Sequence, residues 1–294
     1  MLYTNTFSDY KLIDAGDGEK LESWGKIVLR RPDPMAIWKR SKPDIWENAD
    51  AYYHRSNTGG GYWEYKHKLP ESWNVKYKDL VFKVSPTNFK HTGIFPEQAN
   101  NWDFISNKLA NHKDARVLNL FAYTGVATTV LASCHINEIV HVDAAKGMVE
   151  WAKENRDLNN LQDEKIRYIV DDCLKFMKRE NRRGRKYEGI IMDPPSYGRG
   201  PNNEVFKFEE QINPLIEEAI KLLSDNPLFF IINTYTTGYS STTIKNVLNR
   251  HLDNSNLKGN VIADELGIQI DNTNYFLPCG FTTRWSNDWC YLWR

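Results

Sequence analysis

From residue 115 onward, continuous apolar runs alternate with amphipathic ones. ARVLNLF, EIVHVD, IRYIVDD, YEGIIMD and LFFIINTY read as buried strands, because their apolar positions lack the polar alternation of a half-solvated strand. GVATTVLASC, AKGMVEWAKENRDLN, CLKFMKREN, INPLIEEAIKLL and STTIKNVLNRHL read as the helices between them. Such alternation predicts an α/β fold with a parallel sheet covered on both faces. NVIADELGIQI and FTTRWSN, separated by turn-forming residues, predict an antiparallel pair closing one edge of that sheet.

The first 95 residues follow another pattern. YKLIDAG, KIVLRRP, GYWEYKHKL and LVFKVSP are short strand-like runs, punctuated by Gly16-Asp17-Gly18, Pro32, Pro34, Pro43 and Gly59-Gly60-Gly61. The stretch KPDIWENADAYYHRSNTGGG reads as an excursion between strands. PEQANNWDFISNKLA (96–110) predicts a helix, with Trp102, Ile105 and Leu109 at helical spacing. The expected organisation is a small β-rich, substrate-presenting domain at 1–95 and an α/β domain at 96–294.

Composition narrows the class. With 41% hydrophobic and 26% charged residues among 294, the chain has the make-up of a soluble globular protein. No apolar run nears the ~20 residues that span a bilayer, and MLYTNTFSDYKLID lacks the basic-then-apolar pattern of a secretory signal. Cys134, Cys173, Cys279 and Cys290 form no C-x-x-C pair, and the seven histidines show no ligand spacing. No metal is therefore expected, and the reducing cytoplasm is the expected compartment. Lysines plus arginines equal acids at 38 each, without the basic excess usual in nucleic-acid binders, although a neutral chain can still carry a basic face.

In open α/β sheets, ligands sit beyond the carboxyl ends of the strands. After the first strand, Phe121-Ala122-Tyr123-Thr124-Gly125 carries one glycine and two bulky rings, which suits a carboxylate and an ammonium better than a pyrophosphate. Read alone, it is equally a structural β–α turn. Asp143, eighteen positions beyond Gly125, is placed for the two hydroxyls of a ribose, or to cap a helix starting at Ala144. Asp172, with Cys173 after it, is placed for an adenine amine and ring nitrogen, or again for a helix cap. The fourth strand ends in Asp193-Pro194-Pro195-Ser196-Tyr197-Gly198-Arg199-Gly200. Its prolines fix φ and lack N–H donors, giving a rigid corner that can hold an acceptor atom, and Tyr197 can stack on a planar substrate. Taken in order, these ends describe a site for S-adenosylmethionine.

VLNLFAYTGVAT, HVDAAKGMVEWAKEN, VDDCLKFM and IIMDPPSYGRG resemble the class I S-adenosylmethionine-dependent methyltransferases. Within them, the chain is similar to the RlmI/RlmL-like group that modifies large-subunit ribosomal RNA. The resemblance covers about residues 80–240. It implies a Rossmann-like methyltransferase sheet, mostly parallel with an antiparallel C-terminal edge, and an RNA substrate. HTGIFPEQANNWDFI (91–105) is similar to that group's approach segment, so the resemblance gives Phe95 and Gln98 a part in closing over the cofactor.

One departure bears on the acceptor. Members that methylate carbon-5 of cytosine use a cysteine just after the fifth strand, since carbon needs a thiolate adduct to become nucleophilic. This chain has Asn233-Thr234-Tyr235-Thr236-Thr237-Gly238 there. A nitrogen acceptor needs no such help, so Asp193 and Pro194 are expected to orient one, with Tyr197 stacking. A small molecule or a protein side chain is the alternative substrate, and a non-catalytic cofactor-binding module a third reading. Two further features are open. KRENRRGRKYEG (178–189) reads as a phosphate contact or a solvated helix end. Arg30 and Arg31 with Trp24, Trp38 and Trp63 read as a stacking face for RNA or as core.

Overall fold

A computed structural model describes residues 1–56, 60–87, 90–199 and 205–288 of the chain; Gly59, Gly200 and Cys290 lie outside them. Two compact units divide it, one of residues 3–99 and 266–279, the other of 1–2, 100–265 and 280–294.

The first unit is built on a five-stranded sheet of β1 (Tyr10–Gly16), β2 (Glu19–Trp24), β3 (Ile27–Pro32), β4 (Ala51–Arg55) and β5 (Gly61–Tyr65), hydrogen-bonded in that order. A separate hairpin joins β6 (Trp73–Tyr77) and β7 (Leu80–Val84). The stretch read as an excursion contains a 3-10 turn, Pro43–Asn48, and the strand β4, which pairs parallel to β3 and antiparallel to β5. Trp46 in that turn is buried, with the Arg40 guanidinium 3.9 Å from its ring, and this packing returns the chain to the sheet.

Arg30, Arg31 and Trp24 form no exposed stacking face. Trp24 is fully buried, and Arg31, 4% exposed, makes bonds of 2.7 and 2.9 Å to Glu22 across the β2–β3 pairing. Arg30 is bound to Glu19, with its guanidinium 4.1 Å from the Tyr52 ring. Trp38 and Trp63 are anchored through their indole N–H groups on the carbonyls of Ala15 and Thr87. Segment 266–279 joins this unit because Ile270 and Leu277 pack with Leu12, Ala15 and Ala36. Burying one such aliphatic side chain is worth about 1.5–3 kcal/mol.

The second unit follows the expected alternation. Its elements are α1 (Ala99–Leu109), β8 (Arg116–Leu120), α2 (Val126–Ser133), β9 (Glu138–Asp143), α3 (Lys146–Leu158), β10 (Ile166–Val170), α4 (Cys173–Arg182) and β11 (Gly189–Met192). There follow the paired strands β12 (Tyr197–Arg199) and β13 (Val205–Lys207), then α5 (Phe208–Leu222), β14 (Phe229–Thr234), α6 (Ser241–Asp253), β15 (Asn260–Gln269) and β16 (Phe276–Ser286), of which the last two contribute residues 266–269 and 276–279 to the first unit. The seven-stranded sheet runs β10-β9-β8-β11-β14-β16-β15; β16 is antiparallel to β14, at the predicted edge.

Alternate strand residues go to opposite faces. Leu118, Leu120, Val140, Val142, Ile190, Met192, Phe230 and Ile232 pack with Phe176, Met177, Phe208, Ile212, Leu215, Ile244 and Leu248 from α4, α5 and α6. The opposite face is also buried but includes polar pairs. Asn119 donates to Thr128 of α2 at 3.0 Å, and the Thr128 hydroxyl meets His141 Nδ1 at 2.8 Å. Most of the basic run at 178–189 is consumed locally: Arg179 binds Asp171, Arg183 binds Glu180, Arg185 binds Glu138, and Lys186 caps the Lys221 carbonyl. Among the described residues no helix is long and apolar enough to cross a membrane.

Candidate active site

The order of the seven-stranded sheet reverses between β8 and β11, and a reversal of this kind opens a crevice beyond the strand ends. Register sets those ends in one row. Leu120 pairs with Val142 and with Met192, Asp143 with Val170, and Met192 with Ile232. Phe121, Asp143, Asp172 and Asp193 therefore lie at or just beyond the last registered pairs, and Asn233 lies one position beyond the Met192–Ile232 pair while still paired with Thr282 of β16.

Three residues of the first loop have left-handed backbones: Phe121 at φ +54°, Tyr123 at +50° and Gly125 at +74°. For a non-glycine residue this costs about 1–2 kcal/mol, so the surroundings must hold the loop. The Phe121 N–H donates to Cys173 Sγ at 3.3 Å, Ala122 N–H to the Val142 carbonyl at 3.1 Å, and Tyr123 N–H to Asp143 Oδ2 at 2.8 Å. Thr124 is buried, and its carbonyl accepts from Asn155 at 2.8 Å. A Cβ at Gly125 would stand 2.5 Å from Ala152 Cβ of α3, so glycine is required by contact as well as by φ.

Asp143 ties the first loop to the second. Its other oxygen accepts the Ala145 N–H at 2.8 Å, while α3 begins only at Lys146; Asp143 is not the cap of a helix starting at Ala144. Burial raises the Asp143 carboxyl above the usual range, and the two N–H bonds pull the other way. Each carboxylate oxygen offers two lone-pair directions, so each can accept a hydroxyl beside its amide. A vicinal diol fits that pattern.

Asp172 does cap α4, accepting the Lys175 N–H at 2.8 Å on Oδ1. Neighbouring Asp171 donates its N–H to the Asp143 carbonyl at 3.2 Å, which joins the third loop to the second. Cys173 is 3% exposed and burial pushes its thiol well up; it holds Phe121 and is no nucleophile. Asp193 N–H points back to the Leu120 carbonyl at 3.4 Å. Pro194 is buried, whereas Tyr197 is 58% exposed on β12. Ser196 accepts from the Thr236 hydroxyl at 2.9 Å and so links the double-proline corner to the loop after β14.

The structure thus brings Phe121, Ala122, Tyr123, Asp143 and Cys173 together by direct bonds, with Asp172 and Asp193 along the same row. Phe95 and Gln98 belong to the first unit, where the Gln98 N–H donates to the Phe95 carbonyl at 3.1 Å and Gln98 is 7% exposed. Sequence reasoning passed over a polar group beneath α1: Asn101 donates to Asn233 Oδ1 at 2.9 Å and accepts from Arg284 Nε at 2.7 Å. Its signal was an arginine inside an otherwise uncharged strand, FTTRWS.

Residues 51–238 match the family described as S-adenosylmethionine-dependent methyltransferase. A solved S-adenosylmethionine-dependent methyltransferase from Agrobacterium tumefaciens superposes with a TM-score of 0.93 at 34% identity, covering 98% of this chain and 93% of that one. Ribosomal RNA large subunit methyltransferase K/L of Shewanella woodyi is 32% identical over 146 residues, 49% of this chain. Ribosomal RNA large subunit methyltransferase K of Neisseria meningitidis is 28% identical over 167 residues, 56% of this chain. The matched part spans only 20% of the Shewanella protein and 46% of the Neisseria one. Matched by the family over more than half of its length and superposable almost throughout on a solved member, the chain belongs to the S-adenosylmethionine-dependent methyltransferase family, with S-adenosylmethionine as its cofactor.

Proposed function

We propose that this chain methylates a nucleobase of RNA, ribosomal RNA first among the candidates, at a nitrogen. One observation carries the reading. Asp193-Pro194 follows β11 and Asn233 lies one position beyond the last pair of β11 with β14, an exposed Tyr197 follows the prolines, and residues 233–238 contain no cysteine. The names of the Shewanella and Neisseria relatives favour ribosomal RNA as the substrate.

When bound, S-adenosylmethionine supplies a methyl group on a positively charged sulfur. The backbone of Tyr123, Thr124 and Gly125 meets its amino-acid end, Asp143 with Ala144 its ribose, and Asp172 with Cys173 its adenine. The N-terminal β-rich unit helps to present the substrate. Asp193 and the Pro194 carbonyl orient the acceptor nitrogen, whose lone pair needs no covalent activation. Rate then comes from holding the reacting atoms in line and excluding water. A cytoplasmic site of action goes with this substrate.

Nucleoside mass spectrometry of ribosomal RNA from a strain lacking the gene tests the reading. One methylated base should be missing and should return when purified protein is added with S-adenosylmethionine; an unchanged profile rejects it. A small-molecule or protein acceptor is favoured instead by the zero net charge and by the pairing of Arg179, Arg183 and Arg185 with carboxylates. Gel shifts with ribosomal RNA at two salt concentrations separate the two, since phosphate-mediated binding weakens steeply with salt.

A further inference from the structure

Arg284 is fully buried, and its bonds go to amides. Nε donates to Asn101 Oδ1 at 2.7 Å, Nη2 donates to Asn100 Oδ1, and the guanidinium carbon lies 4.8 Å from the Phe104 ring centre. Burial without a bonded carboxylate brings its pKa down to about 9, so it stays charged at neutral pH. A buried cation held by neutral amides is costly, and the direction of the hydrogen bonds shows what it does.

A guanidinium has donors only, so the Asn101 atom facing it must be the oxygen. The Thr282 hydroxyl donates to the same oxygen at 3.3 Å. Asn101 is thereby left with its NH₂ toward Asn233, and at 2.9 Å the atom of Asn233 that meets it must again be the oxygen. The Asn233 NH₂ then has no partner among the described residues. Asn233 lies within β14, one position beyond the Met192–Ile232 pair and paired with Thr282 of β16, beside Asp193, the residue that follows β11.

We propose that Arg284, acting through Asn101, fixes the Asn233 side chain as a hydrogen-bond donor toward the substrate. Beside the Asp193 acceptor, it reads a base edge that carries an acceptor next to a donor. Asn233 touches the substrate in this scheme; Asn101 and Arg284 are positioning residues. The substrate part rests on the RNA reading above, whereas the orientation of the amides does not.

The experiment compares wild type with Asn101→Asp and Asn233→Asp. In Asn101→Asp the new carboxylate keeps its bond to Arg284 and neutralises it, but it cannot donate, so Asn233 must turn its NH₂ inward and show its oxygen. The expected result is a melting temperature no lower than wild type, unchanged affinity for S-adenosylhomocysteine, and at least tenfold less methyl transfer to RNA from the deletion strain. Transfer within twofold of wild type overturns the proposal. Asn233→Asp should also lose transfer near neutral pH and regain part of it in acid, where the protonated carboxyl can donate; a flat pH profile counts against it. Side-chain amide NMR decides the orientation without any substrate. Asn233 NH₂ protons should exchange fast and those of Asn101 slowly, and the reverse overturns the relay. If wild type labels no RNA while the NMR result holds, only the RNA reading falls.

Discussion

Asp143 accepts the backbone N–H of Tyr123 at 2.8 Å across twenty residues of chain, so the acid that ends β9 also sets the shape of the loop after β8. Under the proposed function, cofactor binding and loop geometry are coupled at this one carboxylate. Asp143→Asn replaces one acceptor oxygen by an NH₂ that faces a donor. Charge-assisted hydrogen bonds contribute about 1.5–3 kcal/mol each, so affinity for S-adenosylhomocysteine should fall by roughly tenfold to a hundredfold. Calorimetry on both proteins measures it, and unchanged affinity would remove Asp143 from the cofactor site.

The same carboxylate gives a pH dependence with a definite sign. Its folded-state pKa is raised by burial, so the folded protein holds this proton more tightly than the unfolded chain. On its own, Asp143 makes the protein more stable at low pH and costs stability as pH rises through the unfolded and then the folded value. Ribose hydroxyls prefer the ionised form, so cofactor binding should move oppositely and weaken as pH falls through the folded value. Calorimetric titration across the acid range should show the binding trend in wild type and not in Asp143→Asn, and the difference in melting temperature between the two proteins should move in favour of wild type as pH falls.

Gly125→Ala places a methyl against Ala152 Cβ at 2.5 Å, with φ at +74°. The left-handed backbone costs about 1–2 kcal/mol and the overpacking a further 1–3 kcal/mol or so. The urea midpoint should fall with an unchanged slope. Cofactor affinity should fall with it, because α3 must shift away from the loop that Asp143 holds.

His141 is buried against Thr128, and burial lowers its pKa to about 3 from an ordinary 6.5. Folding holds it neutral while the unfolded chain protonates it. The stability it contributes is complete above pH 6.5 and is lost as pH falls toward 3, at about 1.4 kcal/mol per pH unit from this group. His141→Gln keeps a group able to bond Thr128 without titrating. Chemical denaturation between pH 7 and about 4 should show a shallower loss in the variant; parallel curves would contradict the assignment.

The strands and the order of their ends were legible in the sequence because each buried strand is a nearly continuous apolar run, and a helix must follow it. What escaped was set by partners distant in the chain. Arg31 reads equally as part of a stacking face for RNA or as core until β2 and β3 pair and bring Glu22 to it. β4 reads as an excursion because its parallel pairing to β3 depends on the buried turn at Trp46. The start of α3 falls at Lys146 because Asp143 turns back to the first loop instead of capping at Ala144. Arg284 meets Asn101 over 183 residues, a distance at which no local pattern carries information.

Tyr197 is 58% exposed in a corner whose neighbours are fixed: Pro194 and Pro195 set φ before it, Ser196 is bonded to Thr236, and Tyr197 itself pairs with Lys207 across β12 and β13. An exposed aromatic on a paired strand just after two prolines gives the fold little and a planar substrate much. Base–aromatic stacking is worth about 1–3 kcal/mol by alanine substitution. Tyr197→Ala should leave the melting temperature and S-adenosylhomocysteine affinity near wild type and lower kcat/KM for RNA by roughly fivefold to a hundredfold. Tyr197→Phe keeps the ring and should recover most of that loss. If the phenylalanine variant is as impaired as the alanine one, the hydroxyl rather than the ring is at work, and the acceptor is held by a hydrogen bond from Tyr197 in place of a stack.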